Sequence, residues 1–196
     1  MIDEGCEDIV LLNFASARNP GGGFLNGAKA QEEDLSRCST LHSSLFTQTE
    51  YYEKNREQKS MLYTDHAIYS PGIAWFRTRS RDLPDKLFHA SVITSPAPNA
   101  NQALRKGEDE FLIEETLIRR SGQILHIARE HKHRNLVLGA WGCGVFGNDP
   151  QMVAEAFKKW LDTEFANNFD RVVFAVYDRT KIKNVNRAFK DTFHNK

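Results

Sequence analysis

The sequence predicts an α/β fold in which helices cover both faces of a largely parallel or mixed sheet. Three short apolar runs, residues 8–14, 135–140 and 171–177, have the composition of strands buried on both faces. Segments with helical periodicity alternate with these runs, and glycine-rich loops directly follow the first two. The length of 196 residues leaves room for one core, so residues 1–196 are assigned to a single domain.

The remaining segments continue the alternation of helices and strands. Good helix formers follow Ala28, and apolar residues recur at helical spacing after Glu108. Asp149 and Pro150 are typical of an N-cap and a first helical residue. We predict helices over residues 28–45, 51–60, 108–130 and 182–193, a helix from Pro150, and short strands over residues 66–70, 73–76 and 89–94.

The charge balance disfavours one class of function. Lys plus Arg and Asp plus Glu both number 26, which argues against binding a nucleic acid by diffuse phosphate neutralisation. No apolar run reaches the roughly 18 residues of a membrane span, and the acidic start is unlike a signal peptide. We expect an intracellular, cytoplasmic protein, or a nuclear one if the source is eukaryotic. The three cysteines lack the spacing of a zinc site or a disulfide framework.

Two glycine loops, each at the end of a predicted strand, indicate a ligand site. The first glycine loop is residues 19–23 and the second glycine loop is residues 141–148. Ligands of open α/β sheets bind at this edge, where glycines let backbone N–H groups approach an anion such as a phosphate. A tight turn without a ligand is the alternative. Neither loop has the pattern of a P-loop or of a dinucleotide-binding fingerprint.

A pair of adjacent glutamates, Glu32 and Glu33, follows the first glycine loop. On a helix they point about 100° apart, so they cannot flank one bond as the two carboxyl groups of ordinary glycosidases do. A division of labour is expected, with one acting as acid or base and the other positioning the substrate. Repulsion and partial burial are expected to raise the pKa of one of them. The alternative is an exposed helical turn with surface glutamates.

Two stretches of the chain carry a family signature. Residues 12–33 and 138–150 resemble the GGG…QEE element and the diphosphate loop of bacterial-type poly(ADP-ribose) glycohydrolases, and residues 94–99 and 174–178 also fit. The resemblance implies a macrodomain-like three-layer α/β/α sandwich with a mixed sheet. Only about a dozen residues precede Asn13 here, so the expectation is a fold shortened at its N-terminus.

The resemblance implies hydrolysis of the ribose–ribose O-glycosidic bonds of poly(ADP-ribose), with release of ADP-ribose from chain ends. It makes Glu33 the catalytic acid and Glu32 the residue that fixes the ribose hydroxyls. Asn13 would contact the distal ribose, over which the backbone closes at Gly22 and Gly23. The other implied substrate-binding residues are Gln31, the diphosphate-loop residues Gly142, Cys143, Gly144, Val145 and Phe146, and Tyr177 as the ring on adenine, with Phe174 as its alternative.

Two other functions stay open. A reader that binds ADP-ribose without cleaving it is disfavoured because a reader needs no acid at Glu33. A glycohydrolase could instead act on mono-ADP-ribosylated protein or nucleic acid. ADP-ribosylated proteins are the expected substrates. We expect no cofactor, no metal ion, no membrane and no sequence-specific nucleic acid as a partner. Cys143 is disfavoured as a nucleophile. Residues 131–134 are interpreted as a solvated helix end, and Arg77, Arg79 and Arg81 as part of a solvated loop.

Overall fold

The computed structural model describes residues 1–77 and 87–194, and these form a mixed sheet covered by helices. The strands are β1 (Ile9–Phe14), β2 (Ile68–Trp75), β3 (Phe88–Ser95), β4 (Asn135–Leu138) and β5 (Arg171–Phe174). They lie in the order β2-β3-β1-β4-β5. β2 runs antiparallel to β3, and the other neighbouring pairs are parallel. The predicted mixed sheet is confirmed.

The helices form a layer on each face of the sheet. They are α1 (Gln31–Cys38), α2 (Leu41–Phe46), α3 (Thr49–Glu57), α4 (Ala100–Arg105), α5 (Glu110–Glu130), α6 (Pro150–Leu161) and α7 (Asn184–Phe193). Side chains of α2 and α3 pack with Ile9 and Leu11, whereas side chains of α4 to α7 pack with Val10 and Leu12. Alternate residues of β1 thus belong to two cores, as the period of two of a strand requires. The three-layer sandwich is confirmed.

The helix predicted over residues 28–45 is wrong, because the chain breaks at Ser39. Ser39 has an extended backbone, with φ −150° and ψ 176°, and forms an isolated bridge with Trp75. Its Oγ donates to the Leu35 carbonyl oxygen at 2.7 Å and accepts from the Leu41 N–H at 3.2 Å. Ser39 therefore ends α1, and its Oγ binds the first N–H group of α2. Its bridge to Trp75, more than 30 residues away, is a tertiary contact, and helix propensity describes only local preferences.

Three further differences concern strands and short helices. The two strands predicted around Pro71 and Gly72 are one strand, β2, whose register shifts between Ser70 and Ile73. β5 is not a strand buried on both faces, because it pairs with β4 alone among the described strands and leaves Val173 39% exposed. The short helix α4 is not among the predicted elements. The cap of α6 is confirmed, since the Asp149 carboxylate accepts from the N–H groups of Gln151 and Met152.

The topology brings both glycine loops to one edge of the sheet. β1, β3, β4 and β5 are parallel, so their carboxyl ends point the same way. The first glycine loop lies between β1 and α1, and the second lies between β4 and α6. No helix within residues 1–77 and 87–194 is long and apolar enough to cross a membrane.

Candidate active site

A cavity of about 780 Å³ opens at the carboxyl edge of the sheet. Its walls come from the segment between β1 and α1, from the second glycine loop, from the segment between β5 and α7, and from Tyr63. This volume lies in the range of small-molecule sites. Of the residues implied by the resemblance, the cavity is lined by Gly22, Gly23, Gln31, Glu32, Glu33, Gly142, Cys143, Gly144, Val145, Phe146 and Tyr177.

Gln31 fixes the start of α1 against the end of β1. Its Nε2 donates to the Leu12 carbonyl oxygen at 2.8 Å, and its Oε1 accepts from the Phe14 N–H at 2.8 Å. The side-chain amide thus satisfies two backbone groups at the sheet edge. Gln31 lines the cavity, but its hydrogen-bonding groups face β1, so its contribution is to hold Glu32 and Glu33 in place.

Glu32 is buried, with 3% of its surface exposed. Its Oε2 accepts from the Ser16 N–H at 2.7 Å, and its Oε1 accepts from Asn13 Nδ2 at 3.1 Å. Burial is the main cause that raises the pKa of Glu32 from 4.5 to about 8, and the nearby Glu33 adds a smaller rise. The Glu32 carboxyl group is therefore mainly protonated at neutral pH. The expectation that one carboxyl group of the pair has a raised pKa is confirmed, and it is Glu32.

Glu33 is bound by the loop that precedes it. Its Oε1 accepts from the Gly23 N–H at 2.8 Å, and its Oε2 accepts from the Ala30 N–H at 3.1 Å. Gly22 has φ +59°, and a Cβ there would lie 2.5 Å from Glu33 Oε1 and 3.0 Å from Glu32 Oε2. Both carboxyl groups therefore converge on Gly22 even though a helix points them apart. The interpretation as an exposed helical turn is wrong, since Glu33 is only 7% exposed.

Asn13 lies behind the cavity wall instead of lining it. It is fully buried, and its Nδ2 donates to Glu32 Oε1 and, at 3.2 Å, to Thr94 Oγ1. Its Oδ1 has no hydrogen-bond partner among the described residues. Asn13 therefore helps to hold Glu32 in place. Its contact with the distal ribose stays a prediction.

The second glycine loop offers free backbone donors to the cavity. Within the described part of the chain, the N–H groups of Gly142, Gly144, Val145 and Phe146 have no acceptor. Gly144 and Val145 are exposed, and Val145 has 85% of its surface accessible. Several unpaired N–H groups in one short loop form a site for an anion. This is the chemistry expected of a diphosphate-binding loop.

Buried side chains support that loop from below. Trp141 Nε1 donates to the Ser95 carbonyl oxygen at 3.0 Å, and Asn148 Nδ2 donates to the Pro98 carbonyl oxygen at 2.8 Å. Gly142 has φ +73°, and a Cβ there would overlap the Asn148 side chain and lie 2.5 Å from Ala97 Cβ. The loop is therefore held closely against residues that follow β3.

The start of α6 does not supply N–H groups to an anion. Pro150 has no N–H group, and the N–H groups of Gln151 and Met152 are bound by the Asp149 carboxylate. The protein thus provides its own anion at this helix end, and the loop N–H groups remain as the donors.

Cys143 lines the cavity but is unsuited to act as a nucleophile. Burial, together with the charge of Asp149, raises the pKa of the Cys143 thiol to about 12. The thiolate that nucleophilic attack requires is therefore rare at neutral pH. Its Sγ lies 3.8 Å from the Trp141 carbonyl oxygen, in agreement with its interpretation as a small residue of a close-packed loop.

Two rings, Phe146 and Tyr63, lie together at the cavity wall, with centroids 6.1 Å apart. Tyr63 has a left-handed backbone, with φ +62°, which is unusual for a large side chain. Arg120 holds it from behind: Nη2 donates to the Tyr63 carbonyl oxygen at 3.1 Å, and Nε pairs with Asp65 at 2.7 Å. Neither Tyr63 nor Arg120 is a candidate from the sequence, because both lie outside any motif and meet the site only through tertiary contacts.

Tyr177 and Phe174 separate clearly. Phe174 packs in the core against Phe189 and Phe193, with centroids 5.3 and 4.5 Å away, and does not line the cavity. Tyr177 lines the cavity and is 75% exposed, with the Arg179 guanidinium 5.0 Å from its ring centroid. Of the two rings proposed for adenine, Tyr177 is the one that a ligand can reach.

The described residues of the basic segments do not line the cavity. His133 is buried, donates from Nδ1 to the Asp8 carbonyl oxygen at 2.9 Å and meets the Tyr69 hydroxyl at 2.8 Å. The interpretation as a solvated helix end is therefore wrong for His133. Arg77 is exposed, whereas Arg79 and Arg81 lie outside the described residues. Across residues 1–77 and 87–194, no three His, Cys, Asp or Glu side chains are arranged to hold a metal ion.

Comparisons with known proteins agree with this geometry. The family model for the microbial-type PARG catalytic domain, in which PARG stands for poly(ADP-ribose) glycohydrolase, matches residues 1–78. The poly(ADP-ribose) glycohydrolase of Deinococcus radiodurans, solved in complex with ADP-ribose, is 43% identical, with a TM-score of 0.93 over 97% of this chain and 77% of that chain. Comparison with curated proteins gives no match.

A second organism provides the same likeness. The poly(ADP-ribose) glycohydrolase of Thermomonospora curvata is 44% identical, with a TM-score of 0.93 over 98% of this chain and 71% of that chain. Its complex with the inhibitor ADP-HPD matches at 44% identity and a TM-score of 0.93, over 98% and 73% of the two chains. Identity at this level over nearly all of the chain confirms the resemblance seen in residues 12–33 and 138–150. The chain belongs to the microbial-type poly(ADP-ribose) glycohydrolase family.

Proposed function

We propose that this protein hydrolyses the ribose–ribose O-glycosidic bonds of poly(ADP-ribose) and releases ADP-ribose from chain ends. The observation that carries the proposal is the convergence of Glu32 and Glu33 on Gly22, in a cavity that also presents the free N–H groups of the second glycine loop. Such a site combines an acid with an anion receptor. The solved relatives from two bacteria are named as poly(ADP-ribose) glycohydrolases, and one was solved with ADP-ribose.

In the proposed reaction, Glu33 donates a proton to the leaving ribose oxygen as the bond from that oxygen to the anomeric carbon breaks. The anomeric carbon passes through an oxocarbenium-like state. Glu33, now a carboxylate, takes a proton from water as the water oxygen bonds to the anomeric carbon. The net change is the addition of one water molecule, and Glu33 returns to its starting form.

Glu32 is proposed to position the ribose. Its carboxyl group is held by Asn13 and by the Ser16 N–H, so its orientation is fixed before the substrate arrives. Because it is protonated at neutral pH, it can both donate and accept hydrogen bonds with ribose hydroxyls. A bound ribose also excludes water from the cavity, and a dry cavity favours uncharged carboxyl groups.

The second glycine loop is proposed to bind the diphosphate of the terminal unit, with Phe146 beside the ribose and Tyr177 against adenine. Charge-assisted hydrogen bonds from backbone N–H groups would supply this binding without a basic surface. A cavity of about 780 Å³ suits one ADP-ribose unit at a time, which supports removal of units from an end. The polymers in this proposal are those carried by ADP-ribosylated proteins inside the cell.

The test uses labelled poly(ADP-ribose) and mono-ADP-ribosylated protein as parallel substrates. The proposal predicts free ADP-ribose from the polymer, with no short oligomers at early times. Release of ADP-ribose from the mono-ADP-ribosylated protein alone would favour a glycohydrolase that acts on mono-ADP-ribosylated substrates. Binding of ADP-ribose without product from either substrate would favour a reader.

A further inference from the structure

The cavity wall formed by the β1–α1 segment carries polar side chains without protein partners. Arg18, Asn19 and Asn26 line the cavity. Among the described residues, the Arg18 guanidinium and the Asn19 and Asn26 carboxamides form no hydrogen bond, and Arg18 forms no ion pair. All three residues are exposed, so a positively charged group and two amides lie on the open part of the cavity wall without a protein partner.

The backbone that carries Arg18 is fixed. The N–H groups of Arg18 and Asn19 donate to Ser16 Oγ at 3.2 and 3.1 Å, and Arg56 Nη1 donates to the Arg18 carbonyl oxygen at 2.9 Å. The Ser16 N–H in turn binds Glu32. The base of the Arg18 side chain is thus tied to the residue that binds one carboxyl group of the site, and Arg56 places a second guanidinium nearby.

Asn26 is tied to the other carboxyl group. Its N–H donates to the Gly23 carbonyl oxygen at 3.0 Å, and the Gly23 N–H binds Glu33 Oε1 at 2.8 Å. The unpartnered polar groups therefore sit on the same segment as the carboxyl groups. They belong to a different segment from the free N–H groups of Gly142 and Gly144 to Phe146, so two segments of the cavity wall carry groups that can bind an anion.

Two sets of anion-binding groups match the chemistry of a polymer. Each glycosidic bond in poly(ADP-ribose) joins two units, and each unit contains a diphosphate. One diphosphate belongs to the unit that is released, and the other follows the leaving ribose. The second glycine loop provides for the first diphosphate and leaves the other without a partner.

We propose that Arg18, assisted by the carboxamides of Asn19 and Asn26, forms a second anion subsite for the diphosphate of the leaving unit. This inference rests on the proposed function. It adds that the enzyme prefers a leaving group that carries a diphosphate. The subsite favours polymer over a single ADP-ribose attached to a protein side chain, because only the polymer places a diphosphate next to the leaving ribose.

The test compares two substrates that release the same ADP-ribose. Both carry one ADP-ribose unit linked to a ribose oxygen of a leaving adenosine, which bears a diphosphate in one substrate and a free hydroxyl in the other. In Arg18→Gln we expect kcat/KM for the diphosphate substrate to fall by about 10-fold to 100-fold, with kcat/KM for the adenosine substrate unchanged. Arg18→Lys should recover part of the loss as a point charge.

Arg105→Gln is the matched control, since Arg105 is exposed at the end of α4 and does not line the cavity. It should leave both rates unchanged. An equal loss on both substrates in Arg18→Gln would assign Arg18 to the released unit and overturn the subsite, as would unchanged rates on both. Failure of the unaltered protein to cleave either substrate would instead overturn the proposed function.

Discussion

The two glycine loops have similar composition and equivalent positions in the sheet, yet they use their backbone N–H groups differently. In the segment between β1 and α1, which contains the first glycine loop, the carboxyl groups of Glu32 and Glu33 bind the N–H groups of Ser16, Gly23 and Ala30. In the second glycine loop, four N–H groups have no protein acceptor in the described part of the chain, those of Gly142, Gly144, Val145 and Phe146. The first segment therefore orients the two carboxyl groups, and the second glycine loop is open to an anion.

The difference arises from the helix that comes after each loop. The first turn of α1, after the first glycine loop, carries the glutamates, and Gln31 fastens that turn to β1. The first turn of α6, after the second glycine loop, is closed by Asp149. Glycine content predicts close approach of a ligand at both loops, but the acceptors within reach decide whether a loop contributes to chemistry or to binding.

The largest expected effect tests the carboxyl group of Glu33, which the first glycine loop orients. Glu33→Gln removes the proposed acid while keeping side-chain size, so turnover of poly(ADP-ribose) should fall by roughly 100-fold to 10,000-fold. Affinity for ADP-ribose should stay close to that of the unaltered protein. Rates of ADP-ribose release and titration calorimetry measure the two quantities.

Glu32→Gln is the matched comparison for that prediction, because Glu32 is the group with the raised pKa. The proposed roles predict a smaller loss of kcat in Glu32→Gln than in Glu33→Gln. A larger loss in Glu32→Gln would make Glu32 the proton donor, and wild-type rates in Glu33→Gln would remove Glu33 from the mechanism.

The next effect tests the second glycine loop. Gly142→Ala places a methyl group against Asn148 and Ala97, on a backbone with φ +73°, so the loop must shift and ADP-ribose affinity should fall by about 10-fold to 100-fold. Arg105→Gln is again the control, since Arg105 is exposed and does not line the cavity. Its affinity should stay within about twofold. Equal affinities in the two variants would show that loop geometry does not control binding.

The last effect concerns stability and pH. The pKa of Glu32 is raised from 4.5 to about 8, so between these values the folded protein binds more protons than the unfolded chain. The free energy of unfolding should therefore fall as pH rises through this window, by at most about 1.4 kcal/mol per pH unit from this group. Urea unfolding at pH 5 and pH 8 should show a steeper fall in the unaltered protein than in Glu32→Gln, and parallel behaviour would contradict the buried carboxyl group.

The fold was predictable where the signal is local. The apolar run that becomes β1 and the Asp149-Pro150 start of α6 depend on neighbouring residues alone, and both are confirmed. The break at Ser39 and the edge position of β5 depend on which strands become neighbours. No pattern within a short window records such pairing.

The candidate site shows the same limit. The Gln31-Glu32-Glu33 element and both glycine loops were found from the sequence because each is a continuous motif. The support of Tyr63 by Arg120 joins residues 57 positions apart. The turn of Asn13 away from the cavity and towards Glu32 likewise depends on packing, so its place behind the wall needed the structure.

The division of labour between the two loops is tested most directly by measuring kcat on the polymer and Kd for ADP-ribose in Gly22→Ala and Gly142→Ala, with thermal unfolding to confirm that both variants fold. A Cβ at Gly22 meets Glu33 Oε1 at 2.5 Å, whereas one at Gly142 meets only the loop support. We predict a crossed result, in which Gly22→Ala lowers kcat more than affinity and Gly142→Ala lowers affinity more than kcat. The same pattern in both variants would contradict separate roles for the two loops.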